Sequence, residues 1–263
     1  MKHLILTNDL DKDGIIRLEG KDYHYLVNVR RLAVGECFSA LLPGGEELLI
    51  KIVSINNGTL TGKCETSALS SSSALCGNNS DKIPPIILFQ ALPKGDKMDL
   101  IVRQAAESGV AEIVPFTAEF SAGKGNVGES KFLRWEKIIK EARQQSGSRI
   151  STALRRPVSV SGLLEYWKKL KGEGALALLF HHEKGVEQNS LHGYLNNEPK
   201  NVVLAVGPEG GFSGKEVALF MENGFKPITI GDTVLRTETA ALYFTAAVRI
   251  LLLEKNTWEL KLI

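Results

Sequence analysis

Cysteine is scarce in this chain, and the scarcity excludes two classes of protein. Cys37, Cys64 and Cys76 are odd in number, widely spaced and without a CxxC pair. They imply neither a disulfide framework nor a zinc site, which fits a reducing cytoplasm. Long apolar runs are missing as well, since no stretch approaches the roughly 20 residues that span a bilayer. Met1 to Leu10 contains Asn8 and Asp9 and lacks an apolar core, so a secretion signal is not expected there. Charge of one sign is also lacking. A formal net charge of +2 over 263 residues does not announce a nucleic-acid partner, so any basic surface must be local. Two phosphate fingerprints are absent too: there is no GxGxxG, and Gly214-Lys215-Glu216 lacks the Ser/Thr of a Walker loop.

What is present concentrates between Asn201 and Ala241. Val202 to Val206 reads as a strand buried on both faces. Gly207-Pro208-Glu209-Gly210-Gly211 follows at once. Ser213, three residues before Glu216, is a capping-box pattern for a helix that should stop near Asn223-Gly224. Pro227 to Ile230 reads as the next strand and Gly231 to Arg236 as its loop. Thr237 is placed to cap the last helix, with Glu238 in its first turn. One such glycine loop is ordinarily just a tight turn. Two in succession at strand ends point to a ligand site, because α/β sheets bind ligands there. Loops of this kind offer backbone N–H and C=O groups, which suit a flat adenine and a sulfonium-bearing amino acid better than a pyrophosphate.

The rest of the chain divides in two. Before about Thr66, Cys37 to Leu42, Glu47 to Ile55 and Thr59 to Glu65 read as short strands. Pro43-Gly44-Gly45 and Asn56-Asn57-Gly58 between them tolerate the positive φ of hairpin turns. A small β-barrel is the expected result, with a short helix over Tyr23 to Leu32 that carries His24, Arg30 and Arg31. Ser67 to Asp81, with four consecutive serines and Gly77-Asn78-Asn79, cannot bury much apolar surface and is the expected linker. Beyond it, strand and helix patterns alternate, which argues for a mostly parallel sheet covered by helices. Ile86 to Ala91, Glu112 to Pro115 and Ala175 to Phe180 are further strands. Met98, Ile101, Val102 and Ala105 form one helix face, and Trp135, Ile138, Ile139 and Ala142 another. The closing helix, about Glu238 to Glu254, is apolar almost all round, so it should be buried in the core or between subunits.

Two further features need weighing. His181-His182-Glu183 could suggest a metal, but neighbours on an extended segment point in opposite directions, so no metal is expected. A third pocket loop is the better reading, lined by Leu179, Phe180 and His181. Lys131, Arg134, Lys137, Lys140, Arg143, Arg149, Arg155 and Arg156 stand against Glu136 and Glu141 alone within 131–156. A solvated helix face explains most charge runs, yet in so neutral a chain this concentration also suits the salt-dependent part of RNA binding. Ser121 to Gly128 reads as a loop that could order on RNA.

GPEGGFS (207–213) and LRTETAAL (235–242) resemble the signature of SPOUT-class RNA methyltransferases, specifically the RsmE family. The resemblance extends to QALPKGDKMDLIVRQAAESGV (90–110), RWEKIIKEARQQSGSR (134–149) and HYLVNVRRLAVGE (24–36), nearly the whole chain. It implies an α/β fold: a SPOUT-type parallel sheet with a C-terminal trefoil knot over 80–263, and a PUA-like RNA-binding barrel over 1–72. It implies methylation of N3 of a uridine in 16S ribosomal RNA, with S-adenosylmethionine as donor. By the same resemblance the cofactor is held by Leu179, Phe180 and His181, by Val206, Gly207, Pro208, Glu209, Gly210 and Gly211, and by Ile230, Gly231, Val234, Leu235, Arg236 and Thr237. Arg236 would stabilise the uridine anion, and Glu209 or Glu238 would take the proton or hold Arg236. His24, Arg30, Arg31, Lys94, Arg143, Gln145, Ser146 and Arg149 would contact RNA. A cytoplasmic homodimer acting on the small ribosomal subunit, without metal or membrane, is the expected setting. Two rivals remain at this level: ribose 2′-O or guanine-N1 methylation on the same fold, and a non-catalytic assembly factor.

Overall fold

The computed structural model describes residues 3–6, 10–42, 44–65, 83–122, 127–181 and 187–255. Two compact units emerge: Met1–Ser80 with Arg143–Ser151, and Asp81–Ala142 with Thr152–Ile263. The segment expected as the linker, Ser67 to Asp81, lies wholly outside the described residues.

The first unit is one five-stranded sheet. Its strands are β1 (Leu4–Ile5), β2 (Ile15–Leu18), β3 (Cys37–Leu41), β4 (Glu47–Asn56) and β5 (Thr59–Cys64), in the order β1-β3-β4-β5-β2. Only β1 with β3 is parallel. The β4–β5 turn needs left-handed backbone, and Asn57 (φ 47°) and Gly58 (φ 79°) supply it. Leu26, Phe38, Ile50 and Leu60 fill the core, each no more than 2% exposed. The helix expected over Tyr23 to Leu32 is present in altered form. A short α1 (Gly20–Tyr23) runs into a π-helical stretch over His24–Val29, which ends at Arg31 in left-handed conformation (φ 56°). A π-helix in this stretch is not visible to periodicity arguments over so few residues.

The second unit is a sheet of seven strands in which every pairing is parallel. Its strands are β6 (Ile86–Ala91), β7 (Glu112–Thr117), β8 (Ala153–Leu154), β9 (Val158–Ser159), β10 (Ala175–Phe180), β11 (Asn201–Val206) and β12 (Lys226–Ile228). The order is β12-β10-β11-β6-β7-β8, with β9 also on β7. Pro227 is accommodated because β12 is an edge strand and its missing donor breaks no ladder. Along β6 the burial alternates between layers: Ile86 and Leu88 join one core, Ile87 and Phe89 the other. The first layer is closed by α2 (Lys97–Glu107), α3 (Glu129–Ser146) and α7 (Thr237–Lys255), with Trp135 and Phe244 fully buried. The second is closed by α4 (Val160–Gly172) and α6 (Gly214–Glu222), through Trp167 and Phe220. A five-residue helix, α5 (Leu191–Leu195), packs on the first layer. From β6 the chain steps to β7 on one side, whereas β11, β10 and β12 lie on the other. The carboxyl ends of β6 and β11 therefore form a switch point, the usual place for a crevice in an open parallel sheet.

Candidate functional site

The crevice is shaped first by the loop after β11. A Cβ on Gly207 would lie 3.2 Å from the Gly211 carbonyl carbon and 3.3 Å from its Cα, so the turn closes tightly on itself and a side chain there would push it open by a few tenths of an ångström. Gly211 (φ 71°) donates its N–H to the Pro208 carbonyl at 2.9 Å. Ser213 and Glu216 form the expected capping box, and Glu216 Oε1 also accepts the Glu119 N–H at 2.8 Å. Thr237, expected as a helix cap, instead donates its hydroxyl to the Gly207 carbonyl at 2.6 Å. That bond satisfies a buried carbonyl, which an N-cap role would have left alone.

A charged group closes the same loop from outside. Lys97 Nζ donates to Glu209 Oε1 at 2.7 Å, and the Lys94 N–H donates to both Glu209 oxygens at 3.0 and 3.3 Å. Glu238 Oε2 lies 3.8 Å from the same ammonium. Burial pushes the Glu209 carboxyl up, but Lys97 and the backbone N–H groups of Glu209 and Lys94 outweigh it and hold the carboxyl below its ordinary range. Lys97 is held more firmly protonated, chiefly by its hydrogen bond with Glu209 and against the nearby Arg236 charge. A carboxylate so stabilised is a weak proton acceptor and a good anchor.

The remaining walls come from the strands beside it. After β12, the Thr229 N–H donates to Gln188 Oε1 at 2.7 Å and its hydroxyl to the His181 carbonyl. The resulting pocket encloses about 580 Å³ including the solvent of its open mouth. From the loop after β10 it takes Phe180 and His181. From the loop after β11 it takes Val206, Gly207, Pro208, Glu209 and Gly211. From the loop after β12 it takes Ile230, Val234, Leu235 and Thr237. The three expected turns thus meet in one place. Leu179 is fully buried in the second core layer, and Gly210, Gly231 and Arg236 are not on the lining. Arg236 is exposed, within electrostatic reach of Lys97. Thr233, within the expected 231–236 loop, also lines the pocket, and Phe212, Thr229 and Ala240 join it unforeseen. Ala240 follows Thr237 by one helical turn, a spacing that could have revealed it. Lys97 was missed because only the fold brings the start of α2 to Glu209.

The residues expected at RNA are dispersed over several elements. His24 is exposed on the π-helical stretch, 2.8 Å from Asn28 Nδ2, and Arg30 and Arg31 are exposed beside it. Lys94 and Gln145 are exposed and Ser146 is half-buried. Arg149 is paired with Glu47. Arg143 is only 6% exposed, and desolvation lowers its pKa. The basic run over 131–156 is largely neutralised by carboxylates outside it. Arg134 meets Asp99, Arg155 meets Glu112, and Arg156 meets Glu129. Arg156 also stacks 3.9 Å from the Phe132 ring centre. The expected 121–128 loop lies partly, and His182 and Glu183 wholly, outside the described residues.

A parallel α/β sheet whose strand-end turns close on one pocket defines a ligand-binding domain of the doubly wound class. Residues 80–249 match the model of the RNA methyltransferase domain family. The chain is 31% identical over 263 residues to ribosomal RNA small subunit methyltransferase E 2 of Borreliella burgdorferi, spanning 97% of this chain and 100% of the relative. It is 30% identical over 252 residues to ribosomal RNA small subunit methyltransferase E of Synechocystis sp., spanning 95% and 77%. The fold is similar to the crystal structure of the Neisseria gonorrhoeae ribosomal RNA small subunit methyltransferase E bound to S-adenosyl methionine, with TM-score 0.76 over 95% of this chain and 98% of that one, at 22% identity. The chain belongs to the RNA methyltransferase family, among the small-subunit ribosomal RNA methyltransferases E.

Proposed function

We propose that this protein transfers a methyl group from S-adenosylmethionine to N3 of a uridine in 16S ribosomal RNA. The observation that carries the reading is the single pocket lined by the turns after β10, β11 and β12. Its lining fits such a ligand: apolar walls from Phe180, Val206, Ile230 and Leu235, and a glycine turn that lets backbone approach closely. Phe180, His181, the 206–211 turn and the 230–237 segment would hold it. When bound, the donor supplies an electrophilic methyl group; the protein supplies position and charge.

N3 of uridine bears a proton that must leave, so the site must favour the anionic base. Arg236, exposed and between the lining residues Leu235 and Thr237 in sequence, is assigned to stabilise that charge. Glu209 is assigned to anchoring, since Lys97 and two N–H groups already hold it as a carboxylate. Glu238 is left as the acceptor nearer to Arg236 in sequence. The first unit serves as a PUA-like RNA-binding module, with His24, Arg30 and Arg31 toward phosphates. The knotted topology of SPOUT enzymes and a homodimer belong to the same reading. Leu242, Tyr243 and Ile250 leave α7 an exposed apolar strip that a second copy would cover. No described helix is long and apolar enough to cross a membrane, and a cytoplasmic enzyme is the reading adopted.

The test is methylation of small ribosomal subunits lacking the modification, with labelled cofactor and mass mapping of the product. Label at N3 of one uridine is expected. Label on a ribose or a guanine overturns the target, and no cofactor binding at all favours a non-catalytic assembly factor.

A further inference from the structure

The strand β6 is apolar and buried throughout except for one side chain. Gln90 has no exposure to solvent, and it sits in register with Val206, the last residue before Gly207. Both of its amide hydrogens are used: Nε2 donates to the Ala91 carbonyl at 2.9 Å and to the Thr237 hydroxyl oxygen at 3.1 Å. Thr237, itself 3% exposed, has a single hydroxyl hydrogen, and it goes to the Gly207 carbonyl at 2.6 Å. The direction of the relay is therefore determined. A hydroxyl that gives its proton to Gly207 has only lone pairs left for Gln90, so the amide must present nitrogen there. Three segments far apart in sequence meet in these bonds: the first strand of the parallel sheet, the glycine turn and the start of the closing helix. The bonded end of the amide is Nε2, since Oε1 has no partner among the described residues, and hydrogen bonds in a chain orient one another. An apolar residue of the same size would fill the position, so packing does not explain an amide.

We propose that Gln90 is a positioning residue for the ligand turn: through the Thr237 hydroxyl it locks the Gly207 carbonyl inward and so sets the shape of the 207–211 wall. Gly207 and Thr237 both line the pocket, whereas Gln90 does not touch it. The inference rests on the methyl-donor reading of that pocket, and it assigns the donor's fit in part to a residue outside the lining. Gln90 is not a catalytic residue. Its removal should loosen the wall, raise KM for S-adenosylmethionine and spare kcat at saturation.

The experiment uses the full chain with Gln90→Leu, Thr237→Val and Thr237→Ser. Calorimetry with S-adenosylmethionine and hydrogen exchange of the ligand-free protein are the readouts, with KM and kcat on small subunits. Gln90→Leu and Thr237→Val are each expected to weaken cofactor binding about tenfold, the effect of one buried neutral hydrogen bond. Both should speed exchange at the Gly210 and Gly211 amides and leave the amides of β7 unchanged. Thr237→Ser keeps the hydroxyl and should recover the binding that Thr237→Val loses. Unaltered binding and unaltered exchange in the 207–211 turn of Gln90→Leu overturn the proposal, as does a Thr237→Ser protein as weak as Thr237→Val. Should Gln90→Leu fail to fold, the two Thr237 variants decide. Absence of binding by the unaltered chain overturns the methyl-donor reading instead, and the exchange comparison still judges the relay.

Discussion

The turns after β11 and β12 line the same pocket but are held in different ways. The first is tied on every side. Its carbonyl at Gly207 accepts from Thr237, its Glu209 is fixed by Lys97 and Lys94, and its exit is a reciprocal capping box. Among the described residues the second is hydrogen-bonded only at its start, through Thr229 to Gln188 and His181, and otherwise rests on apolar contacts of Ile230 and Leu235 with the first core layer. Among the described residues no hydrogen bond reaches 231–235, and Val234 is 73% exposed although it lines the pocket. Local order follows bonding and burial, so one wall is a fixed template and the other is the part able to adapt to what enters. The scaffold wall is built from backbone and buried bonds, and the adaptable wall ends in the assigned catalytic charge, Arg236.

The sharpest way to break this comparison is Arg236→Ala. Turnover should fall about 100-fold or more, as when one preorganised charge stabiliser is removed. Cofactor binding by calorimetry should persist, because the template wall is intact. Near-normal turnover would take Arg236 out of the mechanism. Next in size is Glu209→Gln, which takes the charge out of the Lys97 tie and should weaken cofactor binding about tenfold, an ordinary charge-assisted loss. Lys97→Met should do the same, and the double variant little more, because the two side chains act as one unit. Additive losses would show that they do not.

The pH dependence follows from the same pair. The Glu209 carboxyl is held below its ordinary value in the folded protein. The contribution of the pair is therefore complete above the unfolded carboxyl pKa of about 4.3 and is lost as pH falls through the lower folded value. A thermal-shift series in acid should show the unaltered protein losing more stability across that interval than Glu209→Gln. Parallel curves would remove Glu209 as an anchor. The smallest effect is expected on the adaptable wall. Val234→Ser should leave the melting temperature within about 2 °C, as for other exposed positions. It should lower cofactor affinity a few-fold, for the loss of apolar area that a ligand would cover. A large stability loss would mean that this wall is not loose.

Much of the second unit was legible because its signals are local. Val202 to Val206, the glycine run after it and the Ser213–Glu216 spacing together announce strand, turn and capped helix, and each lies where expected. The closing helix was also legible, down to its apolar surface. The short β8, β9 and α5 carry too few residues for a periodic signal. The pairing of the basic run over 131–156 was not legible for a physical reason: charge was counted along the chain, but Asp99, Glu112 and Glu129 arrive from elsewhere in the fold.

By itself, then, the order of residues determined which segments are strands, where the turns must be glycine, and that the strand ends would carry a site. Those features depend on neighbours a few positions apart. Only the tertiary structure decided that Lys97 would hold Glu209, that Thr237 would serve Gly207 rather than its own helix, and that Gln90 would stand behind both. Such bonds join residues 30, 112 and 147 positions apart, and a hydrogen bond forms only where the fold brings donor and acceptor within about 3 Å.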